Sequence, residues 1–150
     1  MNPGTGLTES YPAVAASIPR IRAALAALAR AAGASEEKVE AVQLAASEAL
    51  TNAVVHAYRG GTGEVQVTAA ANDGELWMLI ADDGCGLDVR SRRPGLGMGL
   101  ALIACMADYF AVVKRSGGGT EVRMRFAIAA PSDSGEDHSR GSVASAKAPA

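Results

Sequence analysis

The chain has 150 residues, 49% of them apolar and 20% charged, with a net charge of −2. That is apolar material for one core of ordinary size, and the charge balance excludes a general attraction to nucleic acid or to anionic lipid. No membrane span is predicted, because the most apolar early run, Ala13–Ala32, is interrupted by Pro19, Arg20, Arg22 and Arg30.

The first residues lack the basic start and apolar run of a secretory leader. Cys85 and Cys105 have no CxxC spacing and no histidine close by in sequence. Reduced thiols in a cytoplasmic protein are the expectation. Residues 1–6 and the tail 130–150, which is Ser, Gly, Ala and charge from Pro131 onward, bury too little to offset the entropy of ordering and are predicted to be disordered. One folded body over residues 7–129 remains.

Leu7–Val14 reads as a short strand ended by Pro12 or soon after. From Ser17 the apolar spacing Ile18, Ile21, Leu25, Leu28 predicts an amphipathic helix, with Pro19 tolerated in the first turn and Gly33 as the stop. Ser35 is placed to cap a second helix that carries acids in its first turn and runs through Val39, Val42, Ala46, Ala49 and Ala53 to about Ala57. Glycines at 60, 61 and 63 then break the chain. Glu64–Ala71 alternates with Val65, Val67 and Ala69 inward, and Asn72-Asp73-Gly74 signals a turn into Leu76–Ala81, making a hairpin. A glycine-rich stretch, Gly84–Gly99, precedes a third helix, Leu100–Tyr109, and strands Phe110–Lys114 and Glu121–Ile128 flank Ser116-Gly-Gly-Gly. The order β-α-α-β-β-α-β-β predicts an α+β two-layer sandwich, a mixed or antiparallel sheet with helices on one face.

Three segments carry candidate chemistry. Glu48 and Asn52 lie one helical turn apart among Ala45, Ala46, Ala49, Leu50 and Ala53. A carboxylate in such company costs several kcal/mol unless it is paired. A hydrated Mg²⁺ beside phosphates suits the pair, with Asn52 offering a carbonyl oxygen and Glu48 placed to take a proton from a nucleophile. His56 is one turn further on. The plain alternative is a wet helix edge. Asp82-Asp83-Gly84-Cys85-Gly86 follows a strand, where a carboxylate can accept from the exocyclic amine of adenine and glycines let a flat ring approach. An acidic turn is the ordinary use of such a sequence. Gly95-Leu96-Gly97-Met98-Gly99-Leu100 opens a helix whose free N–H groups suit phosphate. With 17 glycines in the chain this match is weak by itself, and it is neither a Walker A loop nor a dinucleotide fingerprint. Gly118-Gly119-Thr120 adds a fourth element that alone reads as a hairpin turn. The conjunction, in this order, is far more specific than any part.

In that conjunction Glu48-Ala-Leu-Thr-Asn52-Ala-Val-Val-His56-Ala-Tyr58 resembles the N box of the GHKL (Bergerat-fold) ATPases, in the form seen in anti-sigma factor serine kinases. Asp82–Gly86 resembles the G1 box, Gly95–Leu100 the G2 box and Gly118–Thr120 the last glycine box. The resemblance spans roughly residues 10–128. It implies a general base at Glu48, a Mg²⁺ ligand at Asn52, an adenine-binding carboxylate at Asp82, and ATP contacts from Gly84, Gly86, Gly95, Gly97, Met98, Gly99, Leu100 and Thr120. It also implies transfer of the γ-phosphate of ATP to a serine of a STAS-type anti-anti-sigma protein, competition with a sigma factor, and a homodimer.

The short segment Leu87–Pro94 between the glycine boxes separates the chain from gyrase-like, Hsp90-like and mismatch-repair members. The absence of histidine before Glu48 argues against a complete histidine kinase. Arg92 or Arg93, near Arg90, is a candidate phosphate contact or a solvated charge. Arg20, Arg22 and Arg30 are a candidate partner surface or a solvated face. Two other readings stay open: a nucleotide-gated sequestering module without kinase activity, and a detached ATP-binding half of a histidine-kinase-like system.

Overall fold

A computed structural model describes residues 5–57, 63–84 and 96–128, without the side chains of His56, Ala57 and Leu96–Met98. Both predicted disordered ends beyond Thr5 and Ile128, the segment holding Cys85, Gly86, Arg90, Arg92, Arg93 and Gly95, and Tyr58 lie outside these residues. The elements are strand β1 (Thr5–Pro12), helix α1 (Ser17–Ala31), helix α2 (Glu36–Thr51) continued by a π-helical turn (Asn52–Ala57), strands β2 (Glu64–Asn72) and β3 (Glu75–Asp82), helix α3 (Leu96–Met106), and strands β4 (Tyr109–Lys114) and β5 (Thr120–Ala127).

All strand pairs are antiparallel and the sheet order is β1-β2-β3-β5-β4. The period-two alternation of β2 buries Val65, Val67, Ala69 and Ala71 on the face that meets the helices. Leu76, Met78 and Ile80 of β3 and Val122, Met124 and Phe126 of β5 continue that face by register. The hairpin turns on Asp73 (φ 50°) and Gly74 (φ 77°), the left-handed pair that a two-residue turn requires.

Helix α1 turns Ile21, Leu25, Leu28 and Ala29 inward, and Gly33 ends it at φ 93°. The Ser35 hydroxyl caps α2 by accepting the Lys38 N–H at 3.3 Å. Val39, Val42, Ala45, Ala46, Ala49 and Leu50 are buried along α2. The small residues let α2 lie close to α1 and α3, and a truncation such as Leu50→Ala would cost about 2–5 kcal/mol.

Strand ends of β2 to β5 shift by one residue from expectation, and the larger differences lie elsewhere. The first strand starts at Thr5, because Thr5 and Gly6 pair with Ala71 and Ala70 and so belong to the sheet. The α-helical part of α2 stops at Thr51, and the chain widens to a π turn where two β-branched residues, Val54 and Val55, are adjacent. Helix α3 starts at Leu96, so Gly97 and Gly99 lie inside it although each costs about 1 kcal/mol of helix propensity. It ends at Met106, and Tyr109 already pairs with Arg125 in β4.

Candidate active site

The sheet ends on one side in a polar step. Asp82, last residue of β3, and Thr120, first of β5, are register partners and point to the same inner face as Ile80 and Val122. They are 6% and 2% exposed, the polar exceptions on an apolar surface. The Gly84 N–H donates to Asp82 Oδ1 at 3.0 Å. Burial pushes the Asp82 carboxyl above its ordinary value, while the backbone bonds from Gly84 and Thr120 pull it back.

Gly119 secures that step. Its φ is 91°, and a side chain there would overlap the Asp82 carbonyl and stand 2.8 Å from Asp83 Cα. Only glycine lets the β4–β5 turn pass so close behind Asp82.

On the helical layer, Glu48 is half-buried on α2 and faces the first turns of α3. A Cβ at Gly99 would lie 2.7 Å from Glu48 Oε2, so the missing side chain is the space that the carboxylate occupies. Asn52 follows one turn later. It is 6% exposed, and its amide nitrogen has no hydrogen-bond partner, a buried orphan worth about 1–3 kcal/mol. The π turn that starts at Asn52 packs on β3, the strand that delivers Asp82. The oxygen and nitrogen of a side-chain amide are exchangeable assignments, so the orphaned group can equally present its oxygen.

These residues fit a Mg²⁺ ion. Among the described residues no cluster of three or more His, Cys, Asp or Glu side chains could hold a metal by itself. The unsatisfied Asn52 amide beside Glu48 suits a cation that keeps its waters and takes one or two protein contacts along with phosphate oxygens.

Of the residues singled out in the sequence, Glu48 and Gly99 touch, and Asp82, Gly84, Gly119 and Thr120 form one group. Leu100 packs partly buried against the core, and Gly97 and Met98 lie in the first turn of α3. Gly118 is 4.0 Å from the Gly84 carbonyl, measured from where its Cβ would be. Two arginines of the α1 row have partners within the chain: Arg30 pairs with Glu36 at 2.8 Å, and Arg20 lies 5.8 Å over the Tyr11 ring. No described helix is long and apolar enough to cross a membrane.

Sequence reasoning missed Arg115. Its guanidinium is 2.6 Å from Asp83 Oδ1 and 3.4 Å from the Asp82 carbonyl. A lone arginine at a strand end looks like any solvated charge, and only the fold brings it under the Asp82 strand end.

A domain model described as the histidine kinase-like ATPase domain matches residues 11–126, and the chain belongs to that family. The anti-sigma F factor of Clostridium acetobutylicum is 32% identical over 100 residues, covering 59% of this chain and 70% of that protein. The serine-protein kinase RsbW of Bacillus licheniformis is 40% identical over 78 residues, and the matched region spans only 49% of that relative. The RsbW kinase of Bacillus cereus strain AH187 is 29% identical over 121 residues, 76% of its length. The fold is shared with the crystal structure of the RsbU and RsbW domains of Rv1364c from Mycobacterium tuberculosis, with a TM-score of 0.67 at 24% identity, over 86% of this chain and 34% of that one.

Proposed function

We propose that this protein is an ATP- and Mg²⁺-dependent protein-serine kinase and anti-sigma factor that phosphorylates a STAS-type anti-anti-sigma partner and works as a homodimer in the cytoplasm. The similarity to an anti-sigma factor and to serine-protein kinases supports the class of activity. The observation that carries the reading is the Glu48 carboxylate filling the space above Gly99, with the unsatisfied Asn52 amide one turn away.

In this reading Asp82 accepts a hydrogen bond from the exocyclic amine of adenine, and Gly84, Gly86 and Thr120 border the ring. Backbone bonds from Gly84 and Thr120 hold the Asp82 carboxyl in place. Gly95, Gly97, Met98, Gly99 and Leu100 line the phosphates, where N–H groups in the first turn of α3 meet negative charge. Glu48 takes the proton of the partner's serine hydroxyl as its Oγ bonds to the γ-phosphorus. The bond from that phosphorus to the β,γ-bridging oxygen breaks, and ADP leaves with the electron pair. Asn52 would hold Mg²⁺, which when bound neutralises charge on the phosphate oxygens.

The test is transfer of labelled phosphate from ATP to the STAS protein, beside Glu48→Gln. Serine labelling that falls at least roughly 100-fold in the variant, while ATP still binds, is the expected result. Equal labelling by both proteins removes the base. ATP binding without labelling in either makes the chain a nucleotide-gated sequestering module, and label on histidine makes it half of a histidine-kinase-like system.

A further inference from the structure

From the geometry around the β3 strand end, we infer that Arg115 is a positioning residue for the nucleotide site, fixing Asp82 from the opposite face of the sheet and so sharpening selection of adenine. The inference rests on the reading of Asp82 as the adenine-binding carboxylate.

Asp82 points to the helix side of the sheet, whereas Gln66 and its register partner Ala81 belong to the other, outward face. Arg115 works on that outward side. One guanidinium nitrogen, Nη1, reaches Asp83 Oδ1 at 2.6 Å and the Asp82 carbonyl at 3.4 Å, and Nη2 reaches Gln66 Oε1 at 3.5 Å. The backbone of the same residue closes the glycine turn: its N–H donates to the Gly119 carbonyl and its carbonyl accepts from the Gly118 N–H, both at 3.2 Å. Gly119 in turn presses on the Asp82 main chain. One residue therefore ties β2, the end of β3 and the β4–β5 turn into a bracket around Asp82. A planar fork with several donors suits this use, and a single ammonium does not.

The bracket also orders two adjacent carboxylates. The Asp83 charge pushes Asp82 towards its neutral form, and the Arg115 charge opposes that. With Arg115 gone, the strand end would lose its tie to β2 and turn more freely, and the Arg115 charge would no longer oppose that of Asp83 beside the site. Guanine offers a carbonyl where adenine offers an amine, so a less fixed Asp82 tells the two apart less well.

The experiment measures dissociation constants for MgATP and MgGTP on the full chain and on Arg115→Gln and the milder Arg115→Lys, with a melting temperature for each. We expect R115Q to bind ATP roughly fivefold more weakly, the loss of one charge-assisted hydrogen bond network's order, with a narrower ATP-over-GTP ratio and an unchanged melting temperature. R115K moves the ratio the same way by less. An unaltered ratio in both variants overturns the inference, as does an equal loss for both nucleotides tracking a fall in melting temperature. If the parent protein binds no ATP, the underlying reading of the site fails and takes the inference with it; if it binds ATP normally and only the Arg115 result is negative, the inference alone fails.

Discussion

Two glycines border the site, and they are irreplaceable in different ways. At Gly119 an added side chain would run into backbone, the Asp82 carbonyl and the Asp83 Cα, and the residue sits at φ 91°. At Gly99 the added atom would meet only the far end of a flexible side chain, Glu48 Oε2 at 2.7 Å, within a helix that any residue can adopt. The sheet end of the site is thus built into the fold, and its disturbance is read as lost stability. The helical end is a gap held open for a carboxylate, and its disturbance is read as lost chemistry.

Gly119→Ala breaks the first half of that comparison most severely. Backbone has to move and a left-handed φ has to be tolerated, so we expect a loss of about 3 kcal/mol or more in denaturant unfolding. An unfolding free energy within about 0.5 kcal/mol of the parent would mean that the turn does not press on Asp82.

Gly99→Ala sharpens the second half. Glu48 can swing aside, and alanine favours a helix by up to about 1 kcal/mol over glycine, so stability should hold or rise. Phosphotransfer should fall by roughly 10–100-fold, because a base displaced by an ångström or so is no longer aligned. Undiminished transfer in a stable G99A protein would show that the Glu48 position is not catalytic.

Asp82→Asn comes next. It should weaken ATP binding by more than about 1 kcal/mol through loss of a charged acceptor, read by calorimetry. The smallest effect is in the nucleotide-free protein. Burial raises the Asp82 pKa in the folded state, so the folded form binds the proton more tightly than the unfolded chain. Stability contributed by the neutral carboxyl is therefore present at low pH and is lost as pH rises from the ordinary aspartate range through the native-state value. Denaturation measured across that window should show this downward component in the parent and its absence in D82N. Parallel curves would indicate that Asp82 is solvated.

The parts of the fold that were legible in the sequence are those with a local signal. Asp73-Gly74 marks its turn by backbone chemistry alone, Val65, Val67 and Ala69 alternate, and Ser35 stands where a cap is needed. The start of α3 at Leu96 is hidden in the sequence because Gly97 and Gly99 lower helix propensity, and packing on α2 overrides that preference. The π turn at Asn52 leaves no trace in the apolar period that precedes it.

At the site, Glu48 and Asn52 stand out as polar residues among alanines and leucine, and Asp82 as a carboxylate at a strand end followed by glycines. Their relation to other segments did not. That Glu48 needs Gly99, and that Arg115 reaches Asp82 and Asp83 from 33 and 32 positions away, are consequences of tertiary register, which a linear spacing does not encode.

The central claim is that both ends of the site enclose a single nucleotide. Titration of the ¹⁵N-labelled protein with MgATP, followed by amide chemical shifts, tests it most directly. The account predicts that the amides of Asn52, Gly84, Gly99 and Thr120 move together along one saturation curve, while Trp77 and Tyr109 on the outward sheet face stay still. Shifts confined to one end, or two curves with separate midpoints, would contradict it.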